Sequence, residues 1–94
     1  MQSWVSNVVS IKLLGGLQYY TKRANIDLAI ASPMKLRQVL DELLLLFDEP
    51  AKKLLVSNGK LRAIVIVNGV AETNYDKTIE NKDQLILTSE IEGG

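Results

Sequence analysis

One long helical period interrupts segments that otherwise alternate like β-strands. From Leu36 onward, Val39, Leu40, Leu43 and Phe47 recur at three- and four-residue spacing, which places them on one face of an α-helix. Ser32-Pro33 lies just before this run. Serine is a favoured N-cap, and proline at the first helical position gives up no useful N–H, so the helix is expected to start there. It should stop by Glu49, because the residue before Pro50 is pushed out of the α region. One helix can cover one face of one sheet. The rest of a 94-residue chain therefore has to supply that sheet and its connections. Leu44, Leu45 and Leu46 widen the apolar stripe, and burial under the following segment accounts for them more simply than contact with a second copy.

The flanking segments read as follows. Residues 7–14 (NVVSIKLL) form a half-buried strand with Val9, Ile11 and Leu13 on one face, closed by Gly15-Gly16. A polar connection with Tyr19, Tyr20, Lys22 and Arg23 leads to a second strand, residues 26–31, whose Ile26, Leu28 and Ile30 share a face. The two apolar sets suit an antiparallel hairpin with one buried side. After the helix, residues 51–56 hold one helical turn and Ser57-Asn58-Gly59 is a turn. Residues 61–67 (LRAIVIV) are the strongest strand, β-branched and apolar on both faces. Asn68-Gly69 signals a type I′ turn. A less regular stretch anchored by Tyr75 and Ile79 follows, then a turn at Asn81-Lys82-Asp83 and a last strand around Leu85, Ile86, Leu87 and Thr88. The fold class is α+β: a mixed sheet with one main helix packed on one face. The first and last strands can then lie side by side as a parallel pair joined by a crossover, which puts the last strand in the middle of the sheet.

Composition removes several kinds of chemistry. There is no cysteine and no histidine, so disulfides, thiolate nucleophiles, histidine-ligated metals and Ser-His-Asp triads are excluded. Eleven basic residues balance eleven acidic ones, which gives no electrostatic grip on nucleic acid or an anionic membrane. The paired acids Asp41-Glu42 and Asp48-Glu49 fit a solvated helix face better than a metal or acid–base site, since adjacent helical residues do not face each other. Lys52-Lys53 reads as a solubilising pair, and neither Asn-Gly turn opens a helix, as a phosphate loop would. Leu43 to Phe47 is too short to span a bilayer. Met1-Gln2-Ser3-Trp4 lacks the charged start of a signal peptide, and the expected location is cytoplasmic. The expected organisation is an extension at residues 1–6, one domain at 7–90 and a flexible tail at 91–94.

The tail contains Gly93-Gly94 directly after the last strand. Residues without a Cβ can enter a channel too narrow for any other side chain, and their carbonyl carbon is unshielded. With that tail, the order of elements resembles the ubiquitin-like β-grasp proteins of the MoaD/ThiS sulfur-carrier family, of which the molybdopterin synthase small subunit is a member. The matching pieces are VSIKLLGGL at residues 9–17, the Pro33 helix with Leu36, Val39, Leu40 and Leu43, NGKLRAIVIVNG at residues 58–69, DQLIL at residues 83–87, and Gly93-Gly94. The resemblance covers residues 7–94. Ser89-Glu90 stand where many molybdopterin synthase small subunits carry a Pro-Pro pair, and Glu92 places a negative charge beside the glycines. These departures keep open a ubiquitin-related or small archaeal type of protein modifier.

The resemblance implies a carrier protein and not an enzyme. An E1-like adenylating partner would spend ATP to activate the Gly94 carboxylate, with Gly93 giving access. Sulfur transfer would make a thiocarboxylate, delivered to a sulfur-accepting large subunit for molybdopterin (molybdenum cofactor) biosynthesis. The alternatives are conjugation to lysines of target proteins through Gly94, or sulfur donation for tRNA thiolation. The chain itself would bind no cofactor and no metal. Ile91 is expected to seat the tail in the partner and Glu92 to select partners by charge. Partner recognition also needs an exposed apolar surface. Arg62, Ile64 and Ile66 share one face of the strongest strand, and a buried arginine is disfavoured. That face is therefore expected to point away from the helix, joined by Ile86 of the last strand.

Overall fold

The computed structural model describes residues 7–89. The extension at residues 1–6, with Trp4, lies outside the described residues, as do residues 90–94. In chain order the elements are β1 (Asn7–Leu13), α1 (Gly15–Thr21), β2 (Asn25–Ile30), β3 (Met34–Lys35), α2 (Leu36–Leu44), α3 (Glu49–Leu55), β4 (Val56–Ser57), β5 (Lys60–Leu61), β6 (Ala63–Val67), β7 (Val70–Glu72), β8 (Thr78–Ile79) and β9 (Gln84–Ser89). The main sheet has five strands in the order β2-β1-β9-β6-β7. β1 and β9 run parallel, with Ile11 opposite Leu85 and Leu13 opposite Leu87. The other pairs are antiparallel, and β3–β8 and β4–β5 form separate two-stranded ladders.

Alternation along the strands decides which face of the sheet is covered. Val9, Ile11 and Leu13 of β1, Leu85 and Leu87 of β9, and Ala63, Val65 and Val67 of β6 are buried together. They meet Leu36, Val39, Leu40 and Leu43 of α2, with Leu17 of α1, Ala51 and Leu55 of α3, Phe47 and Ile79 completing a single core. This is the mixed-sheet α+β architecture expected of a β-grasp, and α2 is its main helix. Asn68 and Gly69, at φ 49° and 86°, make the left-handed β6–β7 turn that their sequence signals.

The helical segments depart from the sequence reading. Ser32-Pro33 does not start the main helix. Met34 and Lys35 instead pair with Ile79 and Thr78, which holds the chain extended as far as Leu36. The first helical N–H groups, which have no partner within a helix, are satisfied from elsewhere. Leu36 donates to the Lys77 carbonyl and Arg37 to that of Tyr75, at 2.8 and 2.9 Å. The Lys35 N–H donates to Oε1 of Gln38 at 2.9 Å, and the Arg37 guanidinium meets Asp76 at 2.8 Å. The cap is thus tertiary, and no local serine is needed.

α2 also ends early, at Leu44, where the Leu46 and Phe47 N–H groups tighten onto the Leu43 and Leu44 carbonyls. Pro50 sits in the first turn of a second, seven-residue helix, α3, where its missing N–H costs nothing. Phe47 is buried at this corner, but Leu45 is 76% exposed and Leu46 is also exposed. Leu44 packs against the core, but the following segment leaves Leu45 and Leu46 of the widened leucine stripe uncovered. The expected polar connection after β1 is a helix, α1, with Leu17 fully buried. A seven-residue helix offers too few turns to show a period. The expected strand at residues 61–67 is broken at Arg62, whose backbone N–H turns to the Leu55 carbonyl, so Leu61 pairs with Val56 while Ala63 begins β6.

Leu87 sits between β1 and β6 and is 1% exposed. Replacing it with alanine should cost about 2–5 kcal/mol, by lost transfer energy and the cavity left behind. A smaller shift, in urea unfolding followed by far-UV circular dichroism, would contradict the core described here.

Candidate functional site

β9 is hydrogen-bonded on both sides, to β1 and to β6. Its last residue, Ser89, stands opposite Ala63 and is only 4% exposed. The Ser89 hydroxyl donates to the Leu54 carbonyl at 2.6 Å, in the last turn of α3. The Leu14 N–H donates to the Leu87 carbonyl at 3.1 Å. A Cβ on Gly15, at φ +58°, would lie 3.8 Å from Oγ1 of Thr88. The C-terminal end of β9 is thus enclosed by the start of α1, the end of α3 and the start of β6. Ser89 ends a strand in the middle of the sheet. Ile91, Glu92, Gly93 and Gly94, the sequence-predicted tail site, lie outside the described residues.

Of the other predicted residues, Ile64, Ile66 and Ile86 fall on the sheet face opposite the helices, and Arg62 lies in the break just before β6. Along β6, Ala63, Val65 and Val67 are buried, Ile64 is 43% exposed and Ile66 is half-buried. Arg62 is exposed beside them, and Ile86 of β9 is half-buried directly opposite Ile66. The expected parity of the strand is the one observed. Pairing extends this row across the sheet, from Ala71 through Ile66 and Ile86 to Lys12 and Asn25. The face is apolar towards β6 and polar towards β1 and β2.

Sequence reasoning missed the polar half. Ser10, Lys12, Asn25, Gln84 and Ile86 line a shallow hollow of about 390 Å³, and the Ser10 hydroxyl lies 3.3 Å from Oδ1 of Asp27. The alternation of Ser10 and Lys12 with Val9, Ile11 and Leu13 was the available signal, but it becomes a surface only once β1 is set beside β9. It also gave no role to Tyr19 and Tyr20, exposed on α1 with their rings edge-to-face at 5.1 Å.

Among the described residues no group of three or more His, Cys, Asp or Glu could hold a metal ion. No helix among them is long and apolar enough to cross a membrane. The arrangement combines an apolar row on one open sheet face with a strand end held by hydrogen bonds.

No protein-family model matches the chain, and no curated protein matches it. Solved structures do. SAMP1, a small archaeal modifier protein from Haloferax volcanii, superposes with a TM-score of 0.78 at 19% identity, over 93% of this chain and 99% of that one. Urm1 from Trypanosoma brucei gives 0.73 at 21% identity, over 99% and 100%. A Pyrococcus furiosus protein assigned as subunit 1 of a molybdopterin converting factor gives 0.73 at 15%, over 92% and 100%. At these identities the likeness establishes the fold, a ubiquitin-like β-grasp.

The two faces of β6 should respond differently to a polar side chain. Ile64→Thr should change stability by no more than about 0.5 kcal/mol, while Val65→Thr should lose about 1–3 kcal/mol by burying a hydroxyl among apolar neighbours. Equal losses in denaturant titration would contradict the one-sided burial of β6, and a larger loss at Ile64 would reverse its faces.

Proposed function

We propose that this chain is a carrier protein whose Gly94 carboxylate is activated by an ATP-dependent partner and then receives sulfur. One observation carries the reading: the strand leading to Gly93-Gly94 is central and anchored at its end, while the glycines follow only a few residues later. The names of the similar structures support it, since they include a molybdopterin converting factor subunit as well as a small archaeal modifier protein.

The chemistry explains why a chain with no cysteine or histidine can do this work. A carboxylate is a poor electrophile because its charge is shared over both oxygens. Attack by a carboxylate oxygen on the α-phosphorus of ATP forms an acyl-adenylate and releases pyrophosphate. A sulfide equivalent then attacks the carbonyl carbon, the acyl–oxygen bond breaks, AMP leaves and a thiocarboxylate remains. The nucleotide site and the acid–base groups belong to the partner, so this chain needs no catalytic residues of its own. Gly93 and Gly94 let the backbone enter the partner's channel, with Ile91 and Glu92 as its nearest contacts. Arg62, Ile64, Ile66 and Ile86 form the docking face, where an apolar centre with charge at its rim suits reversible association. The process belongs in the cytoplasm, and molybdopterin biosynthesis is the leading destination of the sulfur.

The likeness to a small archaeal modifier protein favours a second fate for the same activated end. A lysine amine attacking the acyl-adenylate would displace AMP, lose a proton and leave an amide, joining Gly94 to a target protein.

Incubation of the chain with ATP, an E1-like adenylating enzyme and a sulfide donor should exchange one oxygen for sulfur, read by intact mass. No exchange with a partner proven active on another carrier would sink the sulfur reading. Gly94-linked branched peptides from cell extracts would then identify the modifier fate. Deleting Gly93-Gly94, or appending one residue after Gly94, should abolish both products with the melting temperature unchanged.

A further inference from the structure

Ser89 is the one buried polar residue among the described residues, and it occupies the place where a strand would ordinarily fray. Its hydroxyl reaches a carbonyl that α3 leaves over. The last carbonyls of a helix have no partner within it. In α3 the Lys52 carbonyl is taken by the Val56 N–H, that of Leu55 by the Arg62 N–H, and that of Leu54 by the Ser89 hydroxyl. Arg62 precedes Ala63, which pairs with Ser89. The end of α3 thus ties down both the start of β6 and the end of β9.

Resting on the carrier reading above, we propose that Ser89 is a positioning residue. Its bond to Leu54 fixes residue 89 as the root from which Glu90 to Gly94 carry the reacting carboxylate. Five residues span at most about 17 Å when fully extended, so the partner's α-phosphate must lie within that distance of the anchor. Fixing the root also limits the backbone freedom that each activation must remove. Releasing even one further residue adds an ordering cost equivalent to about a factor of ten.

Ser89→Ala removes the hydroxyl with little change in volume, and it leaves the open sheet face untouched. With α-labelled ATP and an adenylating enzyme that activates the wild-type chain, Ser89→Ala should lower kcat for adenylation about tenfold while KM for the carrier stays within twofold. That split separates positioning from docking, which would move KM. It also separates positioning from plain stability, provided both proteins are folded at the assay temperature. Equal kcat for the two chains overturns the proposal without touching the carrier reading, whereas a wild-type chain that no adenylating enzyme accepts overturns the carrier reading itself. Amide hydrogen exchange on the free protein tests the anchor in either case. Protection should persist to the end of β9 in the wild type and retreat toward Ile86 in Ser89→Ala. Wild-type protection that already ends before Thr88, or protection unchanged by the substitution, refutes the anchor.

Discussion

The parallel pairing of β1 with β9 is the contact on which the rest of the molecule depends. It joins the first and last strands of the described chain, and Ile11 and Leu13 reach their partners Leu85 and Leu87 across more than seventy residues. A parallel pair needs a long crossover, and here that crossover includes α2, α3 and the β6–β7 hairpin. Closing such a loop costs chain entropy, which has to be recovered from burial. The recovery comes from the same residues, because Ile11, Leu13, Leu85 and Leu87 all enter the common core. Without this pairing β9 would be an edge strand, and its end would leave from the periphery of the sheet.

Two further consequences follow from that central place. One face of β9 must be buried and the other left open, so Ile86 comes to lie beside Ile66 and Lys12 on the uncovered side. The end of the strand also meets the end of α3, where Ser89 satisfies a leftover helix carbonyl. A buried hydroxyl without a partner would be costly. The same bond that satisfies it gives the strand a defined end. The open row of Ile66 and Ile86 and the anchored end of β9 are therefore two results of a single packing arrangement.

Much of this was legible in order of sequence. The alternation in residues 7–14 and the apolar runs at 61–67 and 84–89 gave the strands, the cost of burying Arg62 gave the parity of β6, and Asn68-Gly69 gave its turn. The helices were less legible. Seven-residue α1 and α3 show little more than one apolar turn each, with Leu17 or with Ala51 and Leu55 as their buried residues. The start of α2 was misplaced because Ser32-Pro33 carries a strong local signal, while the true cap comes from residues 75–77, some forty positions later. Local propensity is a weak prior and tertiary context overrides it. The unburied Leu45 and Leu46 are a similar case, since only the corner between α2 and α3 decides which leucines turn outward.

The amino-acid order was enough to establish an α+β domain, the inward and outward residues of β6, and a chain without cysteine or histidine chemistry. These follow from short-range periodicity and from the inventory of functional groups, neither of which needs a partner distant in sequence. Coordinates were needed to bring Lys12 and Asn25 into line with Ile86 and Ile66, to cap α2 from the 75–77 loop, and to set Ser89 against Leu54. Each of these is a contact between segments far apart in the chain. Its geometry is set by strand register and by the unpaired groups at helix ends, and neither is written in any local stretch of residues.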